Sequence, residues 1–144
     1  MINLFLDTNV ILDLLGERIP FFDSIAKVAT LADQKKLIVT ASPLSFVTVE
    51  YVLTKFESSE AVLNKLRKFK ILCKVCEVNE EIIDKGLNSN FKDFEDAVQY
   101  FTAMRSNCNI IITRNGKDFK HSTIPVMTAD EYLSSTYYST VANY

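Results

Sequence analysis

Glycine, proline and cysteine each occur only three times in this 144-residue chain, and histidine occurs once. So few Gly and Pro, beside 48% hydrophobic and 24% charged residues, exclude a collagen-like or low-complexity chain and leave an ordinary globular composition. No Gly-rich phosphate loop is present, which counts against nucleoside-triphosphate hydrolysis. An excess of basic charge is missing too: the formal charge is −2 and the pI about 5.4. Bulk charge therefore cannot supply affinity for a polyanion, and any nucleic-acid chemistry has to rest on metal ions and a few local Lys and Arg. No uncharged run approaches membrane-spanning length, so no membrane partner is expected. Asp7 and Asp13 interrupt the apolar N-terminus, and no basic leader or small-residue cleavage site follows. That stretch reads as a buried strand and helix rather than a signal peptide.

The cysteines are Cys73, Cys76 and Cys108. Cys73 and Cys76 form a C-x-x-C, but a zinc site needs four ligands, and Cys108 and His121 are the only other His or Cys candidates. In the apolar run ILCKVCEV they read as small hydrophobes. An odd count with no disulfide framework fits a reducing cytoplasm.

What the chain does have is an alternation of short apolar strands and amphipathic helices. Strands are expected at Ile2–Leu6, Leu37–Thr40, Ile71–Val78, Asn109–Thr113 and Pro125–Met127. Helices are expected after Thr8 or Asn9, after Pro20, over Leu44–Phe56 behind a Ser42-Pro43 start, from Ser58 through the basic run to Lys70, and from Asn79 to Leu87. Two more follow, over Asp93–Asn107 and Ala129–Ser135. On the third helix Phe46, Val49, Leu53 and Phe56 form the core stripe, and on Asp93–Asn107 it is Phe94, Ala97, Val98, Phe101 and Met104. The pattern predicts one α/β layered domain, residues 1–136, with a mainly parallel sheet, and a mobile tail over residues 137–144.

Four acids stand beside these apolar elements: Asp7, Glu50, Asp96 and Asp118. Gathering them in one pocket is costly unless a cation neutralises them. Carboxylates without His or Cys suit a hard ion, Mg²⁺ or Mn²⁺, and the chemistry built on such sites is metal-assisted phosphodiester hydrolysis. Ligands of parallel sheets bind beyond the carboxyl ends of the strands. Asp7 follows the first strand and Thr113 closes the Ile110–Ile112 strand. Asp96, in the first turn of its helix, points back toward the helix start. Plainer readings compete. Asp93 is a good N-cap with metal contact as an addition, Glu50 taken alone is a solvated helix position, and Asp118 taken alone is a turn residue. Asp7 has no such alternative.

LDTNVILDLL, VTVEYVL, DFEDAVQYFTA and IITRNGKDF, in this order and spacing, resemble the PIN-domain ribonucleases, and within them the small VapC-like toxins of bacterial toxin–antitoxin pairs. The likeness runs from Ile2 to the last helix. It implies a three-layer α/β/α sandwich and a metal-dependent endoribonuclease acting on RNA with Mg²⁺ or Mn²⁺. It also implies a cognate antitoxin and a homodimer. The family's acids fall on Asp7, with Thr8 and Asn9 beside it, on Glu50 and on Asp96. The fourth falls either at Asn115, where many relatives carry an acid, or at Asp118. Thr113 and Arg114 are implied to position the substrate phosphate or the loop. Lys65, Arg67, Lys68 and Lys70 read first as a solvated helix end, whereas Arg114, Lys117 and Lys120 lie next to the site. Two other functions compete. A Mg²⁺-dependent phosphatase-like hydrolase needs a D-x-D after the first strand, and Asn9 occupies the second acid position. A catalytically silent PIN-like interaction module is favoured by Asn115 and opposed by the three intact acids.

Overall fold

The computed structural model describes residues 1–135, so the expected tail at 137–144 and the last residue of the expected domain lie outside it. Five strands, β1 (Asn3–Leu6), β2 (Ile38–Ala41), β3 (Cys73–Val75), β4 (Ile110–Ile112) and β5 (Val126–Met127), form one sheet in the order β3-β2-β1-β4-β5. Every pairing is parallel. The helices among the described residues are α1 (Thr8–Leu15), α2 (Phe22–Asp33), α3 (Pro43–Leu53), α4 (Ser59–Leu72), α5 (Glu80–Leu87), α6 (Phe94–Arg105) and α7 (Ala129–Leu133), with a 3₁₀ turn at Gly116–Phe119.

Strand alternation sends side chains into two cores. Leu4, Leu6, Ile110 and Ile112 face one, which α1, α2, α3, α4 and α7 complete through residues such as Val10, Val28, Val49, Phe69 and Tyr132. Phe5 and Ile111 point the other way, into Tyr100 and Ala103 of α6 and Phe119. Helices on both faces make the three layers, and both faces of the central strands are buried, which is why those strands read as unbroken apolar runs. The chain lays down β1, β2 and β3 in one direction, then returns to place β4 on the free side of β1. The β1/β4 boundary is therefore the switch point, and the crevice beyond its carboxyl edge is the place such sheets bind ligands.

Caps explain most helix starts. Ser42 Oγ accepts the Leu44 N–H with Pro43 at the first helical position, and Ser58, Asn79, Asp93 and Thr128 cap α4, α5, α6 and α7. Four expectations need correcting. The cap of α1 is Asp7, not Thr8 or Asn9. Phe56 lies beyond the end of α3 and is 79% exposed rather than core. The strand expected from Ile71 is shorter, because the buried stripe Val62, Leu66, Phe69 keeps helical spacing and carries α4 through Leu72. On α6 the buried side holds Ala97, Val98, Gln99, Tyr100, Thr102 and Ala103, while Phe94 and Met104 are partly exposed. Polar Gln99 and Thr102 are tolerated inside because each is hydrogen bonded. Cys73 and Cys108 are buried, and burial pushes their thiols up to about 11 and about 12, so they behave as inert hydrophobes.

Candidate active site

The chain leaves β1 at Leu6 and turns directly into α1, which puts Asp7 at the sheet's carboxyl edge. Its N–H donates to Ile112 O across the β1/β4 boundary at 3.0 Å. Oδ1 accepts the Thr8 N–H at 2.9 Å and Oδ2 the Thr113 hydroxyl at 2.8 Å, with longer approaches from Gln99 Nε2 at 3.5 Å and Asn9 Nδ2 at 3.4 Å. These donors favour the charged form. Burial nonetheless dominates and raises the carboxyl above its ordinary range, with the Asp118 charge adding to the effect.

Thr113, fully buried at the end of β4, orders the loop around that carboxylate. Its hydroxyl donates to Asp7 and accepts from Asn9 Nδ2 at 3.2 Å and from the Asn115 N–H at 3.1 Å. Asn9 in turn accepts the Arg114 N–H at 3.3 Å. Asn9 is thus committed to holding the loop, which leaves Asp7 without the adjacent acid a D-x-D phosphatase needs.

Behind Asp7 lies a second polar group. The Thr8 and Ser45 hydroxyls are 2.8 Å apart, and Gln99 Nε2 donates to both, at 3.3 and 3.0 Å. Gln99 reaches there from α6, so one amide ties together the N-terminal turns of α1 and α3 and the far layer. Its Oε1 is buried with no hydrogen-bond partner among the described residues, a cost of about 1–3 kcal/mol that these bonds offset. Neither Gln99 nor Ser45 was found from sequence. A buried amide in a helix that reads as amphipathic was the available signal.

Helix α6 runs antiparallel to the strands, so its first turn also sits at the carboxyl edge. Asp93 Oδ1 accepts the Asp96 N–H at 3.1 Å, which is the capping role expected of it. The Asp96 carboxyl is pushed up to about 7, first by burial and then by the charges of Asp93, Asp7, Asp118 and Glu95. Glu95, which sequence reasoning overlooked, is raised by burial and by Asp7 and Asp93. Asp118, exposed on the 3₁₀ turn, enters this field, whereas Asn115 contributes its N–H to Thr113. Glu50 is half-buried on α3, and no hydrogen bond or ion pair among the described residues joins its side chain to the other acids.

Arg114 turns away from the acids. Its Nε and Nη2 donate to Asp13 at 2.6 and 3.2 Å, and its guanidinium lies 4.0 Å from the centre of the Phe21 ring. Asp13 is only 1% exposed, so this pair closes α1 onto the loop after β4.

Asp7, Asp93, Glu95, Asp96 and Asp118 therefore share one neighbourhood, and among the described residues none of them is in an ion pair. No Lys or Arg among the described residues neutralises this field within ion-pair distance, and the carboxylates offer only oxygen, which suits Mg²⁺ or Mn²⁺. Among the described residues no three Asp, Glu, His or Cys side chains stand close enough to enclose an ion by themselves. The residues thus fit a hydrated ion held by one or two carboxylates rather than an all-protein cage.

Fold and site together define an α/β protein with an acidic, oxygen-only centre at the switch point of a parallel sheet. Residues 3–117 match the PIN domain family model, and the chain belongs to the PIN-domain family. Ribonuclease VapC1 of Aquifex aeolicus is 31% identical over 134 residues, covering 89% of this chain and 91% of that protein. Among solved structures, Mycobacterium tuberculosis VapC20, described as a sarcin-ricin loop cleaving toxin, superposes with a TM-score of 0.65 at 13% identity. That match covers 82% of this chain and 94% of VapC20. VapBC2 of Rickettsia felis, solved bound to a DNA fragment from its promoter, gives 0.63 at 16% identity, covering 88% and 97%. At those identities the structural likeness is one of fold, and it agrees with the three-layer sandwich expected from sequence.

Proposed function

We propose that the protein is a metal-dependent endoribonuclease and the toxin of a toxin–antitoxin pair, working in the cytoplasm on an RNA substrate. The observation that carries this reading is the gathering of acids at the β1/β4 crevice that no Lys or Arg among the described residues pairs with. The identity to ribonuclease VapC1 over nearly the whole chain supports it.

Asp7 and Asp96 are the residues to hold a Mg²⁺ or Mn²⁺ ion directly, with Asp118 and Glu50 acting through its water shell or completing it once RNA is bound. When bound, the ion supplies charge neutralisation at the scissile phosphate and lowers the pKa of water. The chain's own residues do the rest. Thr113 and Gln99 fix the Asp7 carboxylate, and Asn9 fixes Thr113. Asp96, its carboxyl pushed up to about 7 by burial and the neighbouring acids, would hold the ion as the carboxylate. In the reaction one P–O bond forms to the oxygen of water, which gives up a proton, one P–O bond to a ribose oxygen breaks, and that ribose oxygen takes up a proton.

The reading carries a cognate antitoxin protein and a homodimer as partners. Induced expression in a bacterial host is expected to arrest growth, with new RNA 5′ ends appearing, and Asp7→Asn is expected to remove both effects. Arrest that persists in Asp7→Asn with no new ends would favour an interaction module, the reading that Asn115 and the open ligand spacing support.

A further inference from the structure

Gln99 is fully buried on α6, three residues after Asp96, and at that spacing two helical side chains lie on the same face. Its Nε2 donates to Ser45 Oγ at 3.0 Å and to Thr8 Oγ at 3.3 Å and lies 3.5 Å from Asp7 Oδ1. The two hydroxyls are 2.8 Å apart. Among the described residues these are the only side-chain hydrogen bonds that join α1 with its Asp7 cap, α3 and α6 to one another. Those three elements carry Asp7, Glu50 and Asp96. Asp7 directly precedes Thr8. Glu50 follows Ser45 on the same helix, about 7.5 Å further along its axis. Packing does not call for an amide at this position. An apolar side chain of the same length would fill the space without leaving Oε1 buried and unpartnered among the described residues.

We propose that Gln99 is a positioning residue for the metal centre: through Ser45 and Thr8 it fixes the separation of Asp7, Glu50 and Asp96, and so sets how tightly they hold Mg²⁺ or Mn²⁺. The proposal rests on the metal-dependent reading of the site and adds a residue that touches neither the ion nor the RNA. Apolar contacts tolerate small slides of one helix on another, whereas directional hydrogen bonds resist them. The amide bonds close to where two of the helices begin: Thr8 is the first residue of α1 and Ser45 the third of α3. Gln99 itself lies one turn beyond Asp96 on the third. A shift of any one helix therefore stretches a bond to the other two. Hydrogen-bonded groups behind ligating carboxylates orient them, and their loss weakens metal binding by about 10–100-fold.

The test measures Mn²⁺ binding to the RNA-free protein from the electron paramagnetic resonance signal of the free ion, with melting temperatures taken in EDTA. Gln99→Met keeps length and volume and removes the amide, Ser45→Ala removes its partner on α3, and the two are also combined. Thr102→Val is the control, since Thr102 is equally buried on α6 but bonds only to Val98 O in its own helix. Each single variant is expected to raise the Mn²⁺ Kd by about tenfold. The double variant should stay within about twofold of the weaker single, because both remove one connection, and Thr102→Val should match wild type. Wild-type affinity in both single variants, or an equal loss in Thr102→Val, overturns the positioning role and leaves the metal-dependent reading standing. A lowered melting temperature with unchanged affinity makes Gln99 a packing residue and overturns it too. Mn²⁺ binding that weakens as expected in a protein that cleaves no RNA supports the role and contradicts the ribonuclease. Wild-type protein that takes up no Mn²⁺ overturns both.

Discussion

Asp7 carries two roles on one carboxylate, because Oδ1 caps α1 while the whole group faces the acidic crevice. Substitution by Asn keeps an oxygen for the cap and removes the charge. Asp7→Asn and Asp96→Asn are therefore each expected to lower metal-dependent cleavage at least about 100-fold with the circular-dichroism spectrum unchanged. Asp93→Ala tests the division of labour on α6. It should cost about 1 kcal/mol in denaturant unfolding for the lost cap and leave most of the activity. Full loss of activity at an unchanged melting temperature would make Asp93 a ligand instead. Asp96 also fixes a pH dependence. Its folded pKa of about 7 lies above the ordinary 3.8, so the folded state binds that proton more tightly than the unfolded state does. Its contribution to stability is complete below about pH 4 and is lost as pH rises through about 7. In metal-free protein the melting temperature of Asp96→Asn should therefore gain on wild type as pH rises from about 5 to 8, and added Mg²⁺ should close the gap. A gap constant with pH would contradict the raised carboxyl.

At the scale of elements, what local sequence encodes was legible and what three elements make together was not. Ser42-Pro43, Ser58, Asn79, Asp93 and Thr128 announced their helices because a cap acts within three residues. The apolar runs at β1 and β4 announced buried parallel strands. The face of α6 was misread because Gln99 finds partners that sequence spacing does not display, while Thr102 returns its hydroxyl to Val98 O one turn back in the same helix. Gln99 reaches Ser45 across 54 positions and Asp7 across 92. Arg114 was read as positioning either the substrate phosphate or the loop, and its pairing with Asp13 101 positions away adds a framework contact that spacing does not display. Removing that arginine leaves a buried carboxylate without its partner, so Arg114→Ala is expected to cost about 3 kcal/mol or more in denaturant unfolding. Arg114→Ala combined with Asp13→Leu should recover part of that loss. If the single variant is as stable as wild type, the pair contributes nothing and Arg114 is free to serve RNA.

At the scale of the whole molecule, strand order rather than any single motif assembles the site. Because β4 returns to the free side of β1, residues 7 and 113 become neighbours, and the antiparallel run of α6 delivers residues 93–96 to the same edge. Every part of the crevice depends on that topology, and the acids remain mutually repelling until a cation joins them. The fold was recoverable from sequence because the order of elements is enough to specify it. The ligand set was not, because nothing in the spacing tells Glu95 from Glu50 or Asp118 from Asn115. The most direct measurement is cleavage of a structured RNA pool by purified protein with Mg²⁺, Mn²⁺ or EDTA, run beside Asp7→Asn. Cleavage that requires the metal and disappears in the variant is the predicted result. Folded wild-type protein that leaves the pool intact with either metal, or cleavage that survives EDTA or the loss of Asp7, would contradict the account.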